Sequence, residues 1–115
     1  MAMTRIRVGL LPSTMFIAGT APVPKIKDPE SGTLATDRDT GEFLHTLTVF
    51  LMEEGRAEQM KLTVPESGLP DGLQPGTPVR VTDLFATPWA RIFNGQLSEG
   101  VAYRAAKLEL AAVAK

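Results

Sequence analysis

The chain reads as a small all-β domain, most economically a closed or nearly closed barrel, on three observations. Several runs alternate apolar and polar residues with period two, the segments between them are dense in Pro and Gly, and no long stretch is helical in pattern. The 115 residues suit one domain with a single core. Closure is favoured because it removes the unpaired edges that an open sheet leaves exposed.

The elements follow in order. Met15-Phe16-Ile17-Ala18-Gly19 reads as a first strand, which could resume at Lys25-Ile26-Lys27. Asp28-Pro29-Glu30-Ser31-Gly32 and Asp37-Arg38-Asp39-Thr40-Gly41 each set an acid four residues ahead of a Gly, which suits two turns around a short extended piece. His45 to Leu51 puts Leu47, Val49 and Leu51 on one face and Thr46, Thr48 and Phe50 on the other. Glu53-Glu54-Gly55-Arg56 supplies a turn, and Met60, Leu62 and Val64 point inward from the returning strand, completing a hairpin. Pro65 to Pro78 holds too many breakers for a long helix and leaves room for one short turn. Val79-Arg80-Val81-Thr82 resumes alternation, and Leu84 to Trp89 extends it past a bulge at Asp83. A loop is expected through Asn94-Gly95, then a last strand from Val101 through Leu108 and Leu110, although Ala105–Lys115 has helical propensity. The count is about five strands.

Composition narrows the chemistry. With no Cys and one His, the chain has no disulfide framework, zinc-thiolate site, cysteine nucleophile or multi-histidine metal centre. His45 is the sole imidazole and reads as a strand-end residue capping the core. Asp37-Arg38-Asp39-Thr40-Gly41 resembles the start of a calcium loop but lacks the later oxygen ligands, so its carboxylates are expected to form the turn. Gly72-Leu73-Gln74-Pro75-Gly76 lacks the Lys-Ser/Thr of a phosphate loop. No catalytic residue, metal or cofactor is expected.

The net charge of −1 conceals an uneven distribution. Residues 1–27 carry four bases and no acid, residues 28–71 ten acids against three bases, and residues 72–115 five bases against three acids. The two basic ends could meet on one face and take an anionic partner. No run approaches the ~18 to 20 apolar residues needed to span a bilayer, so no membrane partner is expected. The apolar run Val8-Gly9-Leu10-Leu11 that follows the basic start is interrupted by Pro12, Ser13 and Thr14, and basic residues continue beyond it, which argues against a signal peptide and for the cytoplasm.

If the alternating apolar residues fill the core, Thr46, Thr48, Phe50, Gln59, Lys61, Thr63, Arg80, Thr82 and Arg104 share the outward side. Such a mixture of cations, hydroxyls and an aromatic suits single-stranded nucleic acid, where cations track phosphates and bases stack. Trp89-Ala90-Arg91-Ile92-Phe93-Asn94 adds two aromatics around a cation. Each aromatic has a plainer alternative: Trp89 closing the barrel end, Phe50 and Phe93 buried in a second layer or a subunit interface. Tyr103 aligns with the core, its hydroxyl at the rim.

Leu73-Gln74-Pro75-Gly76-Thr77-Pro78-Val79-Arg80-Val81, then Leu84, Trp89, Asn94-Gly95 and Tyr103-Arg104-Ala105-Ala106-Lys107-Leu108, resembles the last two strands of bacterial single-stranded-DNA-binding proteins. The chain also resembles small proteins encoded beside replication genes on actinobacterial plasmids, integrative elements and phages. The resemblance implies a five-stranded OB-fold Greek-key barrel with long loops, as one domain over 14–111. Residues 1–13 then form an N-terminal arm, ordered or flexible, and 112–115 a short tail. It also implies that Trp89 stacks on bases. The likeness departs at 44–64, which lacks the family's tryptophans and offers only Phe50, and at the end of the sequence, where no acidic recruiting tail is seen.

The expected function is therefore non-catalytic binding of single-stranded DNA, or of RNA, in replication or transfer of a mobile element. Lys61, Arg80, Arg91 and Arg104 would neutralise phosphates, Lys25 and Lys27 would extend the track, and Trp89, Phe93 and Phe50 would stack. The alternative is an OB-fold assembly module whose aromatics form a subunit interface. On either reading a homo-oligomer, dimer or tetramer, is expected.

Overall fold

A computed structural model describes residues 5–10, 13–28 and 30–111. The tail expected over 112–115 and residues 1–4 and 11–12 of the expected arm lie outside the described residues. Among the described residues the strands are, in chain order, β1 (Ile6–Arg7), β2 (Met15–Ala18), β3 (Val23–Pro24), β4 (Ile26–Asp28), β5 (Thr33–Leu34), β6 (Leu44–Glu53), β7 (Arg56–Pro65), β8 (Pro78–Phe93) and β9 (Gln96–Leu110).

Five of them close a ring. β8 pairs with β2, β2 with β6, β6 with β7, β7 with β9, and β9 returns to β8. All of these pairings are antiparallel except β7–β9, which is parallel and aligns Leu62 with Tyr103 and Thr63 with Arg104. The order and the single parallel closure define a Greek-key barrel of OB type. β1 adds to the outer edge of β8, β3 lies along β6, and β4–β5 form a separate two-stranded ribbon.

Local chemistry explains each element. Both acid-to-glycine segments are turns: the Gly32 N–H donates to the Asp28 carbonyl and the Gly41 N–H to the Asp37 carbonyl, each at 2.9 Å. The two carboxylates cap the same turns, Asp28 accepting from the Glu30 N–H and Asp37 from the Asp39 N–H. The β6–β7 hairpin turns on Glu54-Gly55 and the β8–β9 hairpin on Asn94-Gly95, all four residues at positive φ, as a two-residue turn matched to strand twist requires. The breaker-rich connection holds one short 3-10 turn, Glu66–Gly68. It is tied to the end of the β2–β6 connection by the Ser67 N–H, which donates to Glu42 at 2.9 Å. The Ser67 hydroxyl and backbone N–H hold the Glu42 carboxyl below its ordinary value.

The core follows the period-two reading. Leu47 and Val49 from β6, Leu62 and Val64 from β7, and Val79 and Val81 from β8 are buried, with Leu51 and Met60 packed half-buried against them. Phe16, Ala18, Leu73, Leu84, Ala105 and Leu108 complete it. Burying such side chains contributes about 1.5–3 kcal/mol each.

The β8–β9 hairpin differs from its sequence reading in two respects. The loop expected around Asn94-Gly95 is instead a continuous ladder, with pairs running from Val79–Leu110 to Phe93–Gln96. Alternation fades there because residues 88–99 are exposed on both faces, so hydrogen bonding and the tight turn carry the strands rather than burial. The helix conceivable from Ala105 is strand up to Leu110. At the expected bulge, Asp83 takes a φ of 53°. Asp83 and Ala106 are both skipped while the register resumes unshifted at Leu84–Ala105. One residue is thus out of the ladder in each strand, and the inward positions change parity in both: Val81 and Leu108 before the kink, Leu84 and Ala105 after it.

Gly68 is buried against β9, where an added Cβ would collide with the Ala106 carbonyl oxygen. Gly68→Ala should therefore cost about 1–3 kcal/mol in urea melts, while Gly9→Ala, which meets nothing within 4 Å, should stay within about 0.5 kcal/mol of the parent.

Candidate nucleic-acid interface

The outer face of β6–β7 carries Thr46, Thr48 and Phe50, directly opposite Thr63, Lys61 and Gln59. Two projections flank it. On one side the β3–β5 segment is held by the Lys25 N–H donating to the Leu44 carbonyl and the Ala35 N–H to the Lys25 carbonyl. On the other the β8–β9 hairpin extends beyond the barrel in a molecule 52 Å long and 23 Å across its thinnest axis. Between them runs an open groove of about 540 Å³, lined among others by Lys25, Thr46, Lys61, Thr63, Trp89 and Tyr103. OB barrels bind oligonucleotides and oligosaccharides on the face of the second and third strands of the ring, here β6 and β7, and between the two loops that flank it.

Trp89 is held in place by a glycine. Gly100 lies directly across the ladder, and a Cβ there would come within 2.8 Å of the indole, so the ring rests where a side chain would otherwise stand. The Arg91 guanidinium carbon sits 6.0 Å from the indole centroid. Period two places Trp89, Arg91 and Phe93 in a row on one face of β8. Phe93 is 71% exposed near the hairpin tip and Trp89 38% exposed at the groove. The Phe50 ring also lies against a glycine, 2.7 Å from where a Cβ on Gly19, just past the end of β2, would be, although its partner in the ladder is Ile17. Sequence reasoning missed both glycines; for Gly100 the signal is a Gly facing an aromatic across a ladder, which needs the register to be seen.

The expected site residues divide accordingly. Trp89, Lys25 and Lys61 converge on the groove, Phe50 lies on the same β6–β7 face, and Arg91 and Phe93 continue the hairpin row. Lys27 stands exposed on β4, two residues from Lys25. Arg80 is elsewhere: it lines a separate cavity with Leu10, Met15, Val79 and Ala111 and faces Glu109 across the ladder. The expectation of one shared outward side treats the strands as a flat sheet, whereas in a closed ring the outward face of β8 below the kink points away from that of β6–β7. Arg104 is paired within the chain. Its guanidinium donates to the carboxylate of Asp37, which is buried. Burial, and then the nearby positive charge of Arg5, hold the Arg104 guanidinium below its ordinary value.

Other polar groups are accounted for locally. Asp37 also accepts from the Thr40 N–H at 3.3 Å, so the calcium-loop-like segment uses its carboxylate for the turn and for Arg104. His45 is half-buried at the start of β6, its Nδ1 buried without a hydrogen-bond partner among the described residues. Tyr103 packs half-buried against the core and lines the groove.

No protein-family model matches the chain, and no curated protein sequence matches it. In three dimensions it is similar to the crystal structure of the mitochondrial single-stranded DNA binding protein Rim1 from S. cerevisiae, with a TM-score of 0.60 and 10% identity over 96% of each chain. The two chains share the OB barrel over essentially their full lengths.

Gly100→Ala should lift the indole off the ladder. The expected result is a red shift of Trp89 emission, with thermal stability changed by less than about 0.5 kcal/mol because both residues are at the surface.

Proposed function

We propose that the protein binds single-stranded DNA without catalysing a reaction on it. The observation that carries this reading is the convergence of Trp89, Lys25 and Lys61 on one groove at the β6–β7 face of an OB barrel. Its structural neighbour is by title a single-stranded DNA binding protein. In this reading Trp89 stacks on a base, Lys25, Lys61 and Arg91 neutralise phosphates, Phe50 and Phe93 extend the stacking surface, and Lys27 adds to the field. Threonine hydroxyls at 46 and 63 supply donors to phosphate or base edges. The resemblance of the chain as a whole to small proteins encoded beside replication genes on mobile elements extends the proposal to replication or transfer of a plasmid, integrative element or phage.

A second reading, self-assembly, is supported by the other face of the hairpin. Ile92 and Leu97 pair across the ladder and are 74% and 63% exposed, on the side opposite Trp89. The two roles use opposite faces and are compatible in a homo-oligomer. Sedimentation that stays monomeric at all concentrations would remove this second reading.

Titration with fluorescent oligo-dT should show anisotropy rising while Trp89 emission falls, and log K declining with log salt by ~0.7 per neutralised phosphate. Trp89→Ala should weaken binding by about 1–3 kcal/mol with folding retained. Absence of binding to oligo-dT at high micromolar protein, with emission unchanged, would overturn the proposal; tighter binding to oligo-U would move it to RNA.

A further inference from the structure

Directly beyond Trp89 lies a second cavity, of about 190 Å³, lined among others by Arg5, Lys25, Thr63, Thr87, Tyr103 and Arg104. Lys25, Thr63 and Tyr103 also line the groove, so the two spaces adjoin. The register explains why a residue from the start of the chain reaches this place. β1 pairs Ile6 with Ala86 and Arg7 with Phe85, which sets Arg5 level with Thr87. Thr87 precedes Trp89 by two residues on the same face of β8, a step of about 7 Å along the strand. The aromatic row of the hairpin therefore runs straight down to Arg5.

Charge there is unbalanced. Three cations face the cavity, and the one carboxylate bonded to any of them is that of Asp37. Its two oxygens are already occupied, Oδ1 by the N–H groups of Asp39 and Thr40 and Oδ2 by Arg104. Asp83, the acid nearest Arg5 on β8, is taken by Arg7 at 2.7 Å. Among the described residues neither Arg5 nor Lys25 makes a salt bridge. Arg5 is nevertheless held over the barrel, its guanidinium carbon 5.8 Å from the centroid of the Phe85 ring. Like charges gathered at a half-buried cavity repel one another until an anion enters. Two guanidinium groups, an ammonium and threonine hydroxyls form a donor set matched to the several oxygens of a phosphate.

We infer that the strand path continues past Trp89 into this cavity, where Arg5, Lys25 and Arg104 hold a backbone phosphate of the bound single strand. The inference rests on the DNA-binding reading above and adds Arg5 to the contact surface. Lys25 joins the two parts of the path, and Asp37 positions Arg104 rather than blocking it, because the pair leaves the other two cations unneutralised. Arg7, two residues along and level with Phe85, is bonded to Asp83 and takes no part.

The test compares the parent chain, Arg5→Ala, Arg5→Lys and Arg7→Ala on oligo-dT of increasing length, with and without a 5′-phosphate, at two salt concentrations. Arg5→Ala should weaken binding of the longer oligonucleotides about five-fold, the size of one exposed charge contact. It should lower the salt slope by ~0.7, the share of one phosphate. Trp89 quenching at saturation should be unchanged, Arg5→Lys should recover part of the loss, and Arg7→Ala should match the parent. Equal affinity and slope for Arg5→Ala and the parent, with Trp89 quenched in both, would overturn the inference and leave the DNA-binding reading standing. A loss confined to 5′-phosphorylated oligonucleotides would overturn it in favour of a terminal-phosphate pocket. A parent chain that binds no oligonucleotide would remove the DNA-binding reading itself, and this subsite with it.

Discussion

The architecture depends on the β8–β9 ladder, and within it on the paired irregularity at Asp83 and Ala106. Below that point the two strands are barrel wall, with Val81 and Leu108 buried side by side; above it Leu84 and Ala105 close the core before the strands leave the barrel. One unpaired residue in each strand keeps the register while exchanging inside for outside. A bulge in one strand alone would have shifted the ladder by one and set Trp89 against a different neighbour from Gly100. The kink thus places a barrel-forming hairpin and a groove-forming hairpin on a single pair of strands. Arg7 lies against its outer side in an exposed 2.7 Å ion pair with Asp83, and the same edge segment brings Arg5 level with Thr87.

The electrostatics follow from where the acids are used. Residues 28–71 are strongly acidic, yet much of that charge is turned to local structure. Asp28 and Asp37 cap their own turns, Glu42 holds the 3-10 turn, and Glu53 accepts from the Thr14 hydroxyl. Glu53, Glu54 and Glu58 sit at or beside the β6–β7 turn, toward the far end of that hairpin from Thr46 and Thr63. The groove itself is lined by Lys25 and Lys61 with no carboxylate among its lining residues. A chain of net charge −1 can in this way present a cationic path, because field depends on placement and screening rather than on the sum.

Most of the barrel was legible because its signals are local. Period-two alternation marked β6, β7 and the first part of β8, the acid-to-glycine spacing marked both turns of the β2–β6 connection, and Asn94-Gly95 marked the hairpin turn. What escaped was whatever depends on closure. Arg80 alternates correctly with Val79 and Val81, yet the curvature of the ring turns it away from Lys61, which no linear pattern records. The ladder from Ala90 to Glu99 lacks alternation because neither face is buried. The pairing of Arg104 with Asp37 has no local signal, because the two are 67 residues apart in sequence. Arg5 drew attention only as part of a basic start, since its level beside Thr87 is set by a two-residue strand too short to predict.

On the proposed function a single strand lies in the groove between the β3–β5 segment and the hairpin, against Trp89 and the outer face of β6–β7. Amide chemical-shift mapping by NMR during titration with oligo-dT tests it most directly. The account predicts the largest shifts at Lys25, Thr46, Lys61, Thr63 and at Trp89 with its neighbours across the ladder, and small ones at Arg80 and Leu110. Shifts concentrated at Arg80 and Leu110, with the groove residues unmoved, would contradict it.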